Sequence, residues 1–365
     1  MAVWRTLECS CKDLQLLLTL SGGQCFRWHK NEDGEWTGVF AQRIWTLKQT
    51  DDNILYQVQY AVTSNAKESK TAKRQKAVES HKKNESRTRN GNSVDDEKIL
   101  RNYFRLDTPL DELYSKWSEK DPNFKEIAAK FYGVRMLRQH PVENIFSFIC
   151  SSNNNISRIS SMVEKMCLLY GSEVGKKNNQ VYYAFPDVDQ LADPSVEQDL
   201  RKAGFGYRAK FIQKSAAMIL SQGGQSWLES LQDKPYEEAK SALMELPGIG
   251  AKVADCICLM SLDHLEAIPV DTHVWQISCR YLPHLQKYKS VTERVYNEIG
   301  DYFRALYGPY AGWAHTVLFC ADLKMFQEKT QVSKRKASKA QGKEEIGAEL
   351  KRKKGKKMLQ EKVTD

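Results

Sequence analysis

The sequence predicts an α+β protein: an N-terminal antiparallel β-sheet domain, then a mostly α-helical body containing a helix-hairpin-helix motif. Three observations carry that reading. β-Branched and aromatic residues gather in runs up to residue 62, helical apolar spacing takes over after Asp95, and a Pro-Gly-Ile-Gly turn at 247–250 separates two helical runs. At 365 residues and 41% hydrophobic content the chain can bury a real core, and two or three domains are expected.

In the first part, "QCFRWHK", "EWTGVFAQRIWTLKQ" and "ILYQVQYAV" read as strands, with "NEDGE" and "TDDN" as turn formers between them. They define a domain over residues 1–98. Helical spacing then recurs in "VENIFSFICSS", "ISRISSMVEKMCLLYG", "VEQDLRKAG", "RAKFIQKSAAMILSQGG", "PYEEAKSALMEL", "AKVADCICLMSL", "THVWQISCRYL" and "VTERVYNEIGDYFRALYG", punctuated by Gly, Pro and Asn. Residues 99–326 therefore read as the helical body, with the helix-hairpin-helix at 236–261. No repeat of fixed period is present.

The net charge of +9 is unevenly placed. Segment 63–94 carries 9 Lys+Arg against 3 Asp+Glu, and 328–365 carries 13 against 6, so the remainder of the chain is about −4. Both segments are polar and poor in aromatics, which predicts a disordered basic insert at 63–94 and a disordered basic tail over 327–365. "KRKKGKK" at 351–357 has two readings, plain solvation or a nuclear import signal or DNA arm, and a mitochondrial form stays open. Bulk charge cannot establish nucleic-acid binding.

No apolar run approaches the ~18 residues of a membrane span, and the N-terminus lacks a basic region followed by an apolar stretch, so no membrane partner is expected. The nine cysteines form no Cys-x-x-Cys repeat and pair with no histidines at finger spacing. They suggest neither zinc nor an iron–sulfur cluster, and a reducing intracellular compartment is expected.

The chemistry is concentrated in "LPGIGAKVADCICLM", residues 246–260. Gly248 and Gly250 permit a tight reversal that leaves backbone N–H groups unpaired at a helix start, an anion site that a DNA phosphate fits. A simple helix connector is the competing reading. The string lacks the third glycine of a dinucleotide fingerprint and the spacing of a P-loop.

Lys252 follows the turn directly. A helix start favours its neutral amine, so its pKa is expected to fall, and a neutral amine is a nucleophile. Asp271 follows Pro269-Val270, 19 positions on. That is chain enough to climb a helix of roughly 11 residues (~16 Å) and return extended, so the two can meet at one cleft. Set against this, Lys252 can be a surface lysine touching phosphate and Asp271 a plain N-cap.

These residues carry a resemblance. "LPGIGAKVADCICLM" followed by "IPVDTHVWQISCRYL" resembles the helix-hairpin-helix/Gly-Pro-Asp superfamily of DNA glycosylases, and in detail the eukaryotic 8-oxoguanine DNA glycosylase family. "GGQCFRWHK", "EWTGVFAQRIWTL", "FICSSNNNISRI", "LRKAGFGYRAKFI" and "YGPYAGWAHTVLFCADL" share in it. The resemblance covers nearly all of the chain outside the insert and the tail. No cysteine cluster follows the hairpin, unlike the endonuclease III and adenine glycosylase relatives.

The resemblance implies a bifunctional glycosylase and lyase of base excision repair, acting as a monomer without cofactor on double-stranded DNA containing 8-oxoguanine. Lys252 would attack C1′ and form a Schiff base, with β-elimination nicking the strand; Asp271 would stabilise charge on the sugar and cap its helix. The flipped base would meet the carbonyl of Gly23, lie between Phe319 and Cys256, and touch Met260, Asp271 and His315.

Cys256 and Met260 lie one and two helical turns past Lys252, on its face. Without the resemblance Cys256, Met260 and Phe319 read as ordinary core, and Gly22-Gly23 as a strand-entry turn. Asn153, Arg158, Tyr207 and Arg208 would handle the duplex gap and the orphaned cytosine, with Gly248, Gly250 and His273 at phosphate. "NNN" alone reads as a loop or helix end. No tightly bound metal is implied, only a cation at the carbonyls of Met244, Leu246 and Ile249.

Two positions depart from the family pattern. His315 stands where the family has a glutamine reading the Watson–Crick edge, which leaves substrate range open and recognition weaker or pH-dependent. Cys25 stands where a serine is expected. A catalytically silent module that binds damaged DNA, and a monofunctional glycosylase using water, are the competing functional readings.

Overall fold

The computed structural model describes residues 3–60 and 87–327, and for 87–94 the backbone only. Its N-terminal part is an antiparallel sheet of β1 (Arg5–Glu8), β2 (His29–Lys30), β3 (Trp36–Phe40), β4 (Arg43–Gln49) and β5 (Asn53–Tyr60), with helix α1 (Leu16–Ser21) between the first two strands. The strand order is β1-β5-β4-β3-β2. "EWTGVFAQRIWTLKQ" is thus two strands, reversed at Ala41-Gln42, both with positive φ (49° and 55°). No glycine or asparagine marks that turn, so the sequence hid it.

"QCFRWHK" is also corrected, since only His29–Lys30 is strand. Residues before it are held by side chains rather than by a ladder. The buried Gln24 donates to the Arg135 carbonyl (2.8 Å) and accepts from Leu137 N–H (3.0 Å), while Gln139 donates to the Gln24 carbonyl (2.8 Å). Gly22 and Gly23 leave α1 instead of entering a strand, and Gly23 has φ 81°, a value glycine adopts without strain.

Helix α2 (Arg87–Tyr103) begins inside the segment read as a disordered insert and seals one face of the sheet. Leu100, Tyr103 and Phe104 pack with Leu7, Trp45, Leu47, Ile54 and Tyr56 in one buried cluster. The remainder of the expected insert, and the expected tail from 328 on, lie outside the described residues.

The body continues with α3 (Leu110–Lys120), α4 (Pro122–Ala128), α5 (Pro141–Ile149) and α6 (Ile156–Tyr170). A two-stranded hairpin follows, β6 (Glu173–Lys177) and β7 (Gln180–Tyr183), which the helical reading of the body missed. Its turn, Asn178-Asn179, has positive φ at both residues, and its Lys176 carbonyl accepts from Gln59 of β5 (3.0 Å). Then come α7 (Val188–Ala192), α8 (Val196–Lys202), α9 (Arg208–Ser221), α10 (Gln225–Ser230), α11 (Tyr236–Met244), α12 (Ala251–Ser261), α13 (Thr272–Tyr281), α14 (Glu293–Tyr307) and α15 (Ala311–Asp322).

α12 is the centre of the body. From Val253 to Ser261 every residue is buried, the pattern of a helix enclosed on all sides. α5 and α11 pack against it. Two compact units divide the chain, Met1–Leu318 and Phe319–Asp365, and α15 runs across their boundary.

Candidate active site

α11, the turn at 245–250 and α12 form the expected helix-hairpin-helix. Gly248 has φ 86°, and a Cβ there would stand 2.7 Å from the Phe211 ring, so both backbone angle and packing demand glycine. Gly250 is the N-cap of α12 and has no side chain to cap with. The first helical bond runs from Ala254 N–H to the Gly250 carbonyl (2.9 Å), which leaves the earlier amides of α12 without an intrahelical acceptor. An exposed glycine in front of free amides is open to an anion.

Lys252 lies in the first turn, half-buried, with Nζ 5.0 Å from the centroid of the Phe148 ring of α5. The ring face attracts an ammonium while the helix start repels it. One turn on, Cys256 is buried at 2% exposure. Burial pushes its thiol up to about 11; the Lys252 charge opposes that, and Asp255 and Asp271 add to it.

Asp271 is half-buried and caps α13, its Oδ1 accepting from Val274 N–H (2.8 Å). Among the described residues no ion pair joins Lys252 to Asp271. Both charges bear on the ionisation of the Cys256 thiol, in opposite directions. The cap uses a single carboxylate oxygen.

Met260, two turns past Lys252, is buried, and its carbonyl accepts from Gln139 N–H (2.7 Å). Phe319 is half-buried on α15 in the C-terminal unit. His315, one turn earlier on α15, is 3% exposed and stands edge-on to the Phe303 ring at 4.8 Å. Its Nε2 is buried and has no hydrogen-bond partner among the described residues.

Burial lowers the His315 pKa from 6.5 to about 4, so the ring is neutral at physiological pH. A folded-state pKa below the unfolded one means the unfolded chain binds the extra proton. Stability present above pH 6.5 is therefore lost as pH falls toward 4, on the order of 3 kcal/mol in all. Denaturant titrations are expected to show wild type losing about 2 kcal/mol more than His315→Gln between pH 7 and pH 5. Equal losses would refute the burial argument.

Of the expected duplex-handling residues, Tyr207 and Arg208 meet at the 152–153 carbonyls. Arg208 is 4% exposed, donates from Nη2 to the carbonyls of Ser152 and Asn153 (3.2 Å to the latter), and stacks its guanidinium 4.6 Å from the Tyr207 ring centroid. Tyr207 is 49% exposed and donates to the Ser152 carbonyl (3.2 Å). Asn153 is exposed with φ 48°, and Arg158 is exposed in the first turn of α6, capped by Asn155.

His273 is exposed beside Asp271, at the start of α13. Of the carbonyls considered for a cation, that of Leu246 accepts from Ile249 N–H (3.1 Å), while Met244 is 45% exposed and Ile249 buried. Among the described residues no cluster of three or more His, Cys, Asp or Glu is placed to hold a metal.

A cavity of about 750 Å³ lies apart from this chemistry, lined by Arg27, Phe40, Tyr103, Glu143, Phe185 and Ser261 among others. Lys252, Cys256 and Asp271 are not in its walls.

Phe148, Asp255 and Tyr296 escaped the sequence reading. Asp255 had a signal, the single acid in the apolar run "VADCICLM". Phe148 and Tyr296 had none, because aromatic residues at helical spacing read as core.

Residues 6–145 match the N-terminal domain of 8-oxoguanine DNA glycosylase, and residues 146–300 match the HhH-GPD superfamily of base excision DNA repair proteins. The N-glycosylase/DNA lyase OGG1 of Arabidopsis thaliana is 38% identical over 325 residues, 88% of this chain and 80% of that protein. Among solved structures, MBOgg1 in complex with a low-affinity DNA ligand superposes with a TM-score of 0.71 at 26% identity, covering 89% of this chain and 97% of that one. The Clostridium acetobutylicum 8-oxoguanine glycosylase/lyase, bound to double-stranded DNA containing cytosine opposite 8-oxoguanine, superposes with a TM-score of 0.67 at 26% identity, covering 88% and 97%. The chain therefore belongs to the 8-oxoguanine DNA glycosylase family, DNA glycosylases with lyase activity within the helix-hairpin-helix superfamily of base excision repair proteins.

Proposed function

We propose that this chain flips 8-oxoguanine, paired with cytosine, out of duplex DNA, releases the base through covalent attack by Lys252, and then nicks the strand. The observation that carries the reading is Lys252 in the first turn of an uncapped helix, its Nζ 5.0 Å from the Phe148 ring centroid, with Asp271 at the N-cap of α13 using one carboxylate oxygen for its cap. An amine supplies the nucleophile, a carboxylate the countercharge, and the free amides a seat for phosphate.

The unprotonated Lys252 nitrogen donates its pair to C1′ as the N-glycosidic bond breaks, and the base leaves with that bonding pair and gains a proton. Opening of the sugar gives an iminium. Loss of a C2′ proton then expels the 3′ phosphate, which is β-elimination. Asp271 holds the positive charge that builds on the sugar and the iminium.

Selection of the base rests on a difference at N7, an acceptor in guanine and a donor in 8-oxoguanine. The carbonyl of Gly23 would accept from that donor, and guanine would oppose two acceptors at a cost of about 1–3 kcal/mol. His315 would meet the Watson–Crick edge as a neutral ring with one donor and one acceptor. Asn153, Arg158, Tyr207 and Arg208 would fill the gap and read the orphaned cytosine. The Clostridium relative, with cytosine opposite the lesion, supports that pairing. Nuclear action fits repair of genomic DNA.

The test is excision and borohydride trapping on duplexes carrying 8-oxoguanine opposite each of the four bases. Base release with a covalent adduct, fastest opposite cytosine, is expected. Release without an adduct would make water the nucleophile, and binding without either would leave only a damage-recognition module.

A further inference from the structure

A buried polar chain ties the helix carrying Lys252 to the loop carrying Asp271, and neither proposed catalytic residue belongs to it. Asp255 of α12 is fully buried. Its Oδ1 accepts from the Tyr236 hydroxyl of α11 (2.6 Å), and its Oδ2 accepts from the Tyr296 hydroxyl of α14 and from Lys240 Nζ of α11 (3.0 Å). Lys240 stands 5.4 Å and 5.0 Å from the centroids of the Tyr236 and Tyr296 rings, so its charge is enclosed by one carboxylate and two aromatic faces. The Tyr296 hydroxyl also accepts from Val270 N–H (3.3 Å), the residue before Asp271, and lies 3.3 Å from the Ile268 carbonyl.

One carboxylate buried among the apolar residues of α12 demands an explanation. Burial favours its neutral form, and two hydroxyls and an ammonium are needed to hold the charge. Leucine at this place would fill the core more cheaply. What the carboxylate supplies that leucine cannot is a fixed acceptor for Tyr296, which in turn is a fixed acceptor for the Val270 amide. Lys252 is three residues before Asp255 on one side of this chain of bonds, and Asp271 is one residue past Val270 on the other.

We infer that Asp255, Tyr296 and Lys240 are positioning residues that set the spacing of the Lys252 amine and the Asp271 carboxylate, through the bond from the Val270 amide to the Tyr296 hydroxyl. This rests on the proposed roles of Lys252 and Asp271. Tyr296→Phe keeps the ring and removes only the hydroxyl link, so Asp255 retains Tyr236 and Lys240 while the loop is released.

The experiment uses the full chain in excess over an 8-oxoguanine:cytosine duplex, where the single-turnover rate constant does not depend on the fraction of protein that is active. Affinity for a duplex with a tetrahydrofuran abasic analogue and the thermal midpoint are measured alongside. Tyr296→Phe is expected to lower the rate constant at least ~10-fold, with affinity changed less than about twofold. Asp255→Asn, which keeps the shape and removes the charge that orders the hydroxyls, is expected to follow it.

A Tyr296→Phe rate constant equal to wild type overturns the inference. So does a loss in both variants that tracks affinity and thermal midpoint together. The functional reading has its own control: absence of an adduct with wild type would remove the roles of Lys252 and Asp271 before Tyr296 is considered.

Discussion

Lys252→Gln is expected to abolish the borohydride adduct on 8-oxoguanine duplex and to slow base release by at least ~10³-fold, while leaving the fold and duplex binding in place. Glutamine has no amine to form an iminium, so the adduct falls to zero rather than to a fraction. Stability should hardly move, because two effects oppose. Removing a cation from a helix start gains about 0.3–1 kcal/mol, and losing its contact with the Phe148 ring costs about 0.5–2 kcal/mol. The variant should therefore melt within a few degrees of wild type and still shift the damaged duplex in a binding assay. An adduct that persists in Lys252→Gln would move the nucleophile elsewhere.

Asp271→Asn separates two roles of one side chain. Asparagine caps helices as well as aspartate does, so the bond to Val274 N–H can be kept and α13 should keep its start. The negative charge is lost. Excision is expected to fall roughly 10²–10³-fold, the scale of removing one preorganised electrostatic group, with the thermal midpoint nearly unchanged. Asp271→Ala should add about 1 kcal/mol of destabilisation from the missing cap. If Asp271→Asn excises at the wild-type rate and only Asp271→Ala is impaired, the carboxylate is a cap and nothing more.

How far these residues could be read from the chain alone follows from how local their signals are. The hairpin was legible because two glycines and a proline within four residues admit few structures, and the structure bears that out in the φ of Gly248. Lys252 was legible at the helix start because it follows the hairpin directly, and Asp271 as the cap of the next helix because it stands before an apolar helical run. The buried chain of bonds was not, since Asp255 and Tyr296 are 41 positions apart and Tyr296 is one of 16 tyrosines.

The misread stretches have physical reasons as well. "QCFRWHK" has strand-like composition, yet the Gln24 and Gln139 amides replace the ladder there. The β3–β4 reversal uses Ala41 and Gln42 in a conformation that neither residue advertises. Asn178-Asn179 did carry a turn signal, in an unassigned stretch between two helical runs of a body read as mostly helical. Arg208 was legible as a polar side chain near the aromatic Tyr207, but its bonds to the 152–153 carbonyls are a tertiary fact.

The thiol beside Lys252 has a consequence for durability. Peroxide attacks the thiolate, and with its ionisation pushed up to about 11 Cys256 is a thiolate only about once in ten thousand at neutral pH. Six of the other eight cysteines are buried too, all but Cys11 and Cys279. In a family that acts on oxidised guanine, Cys256 itself thus offers an oxidant almost no sulfur anion to meet.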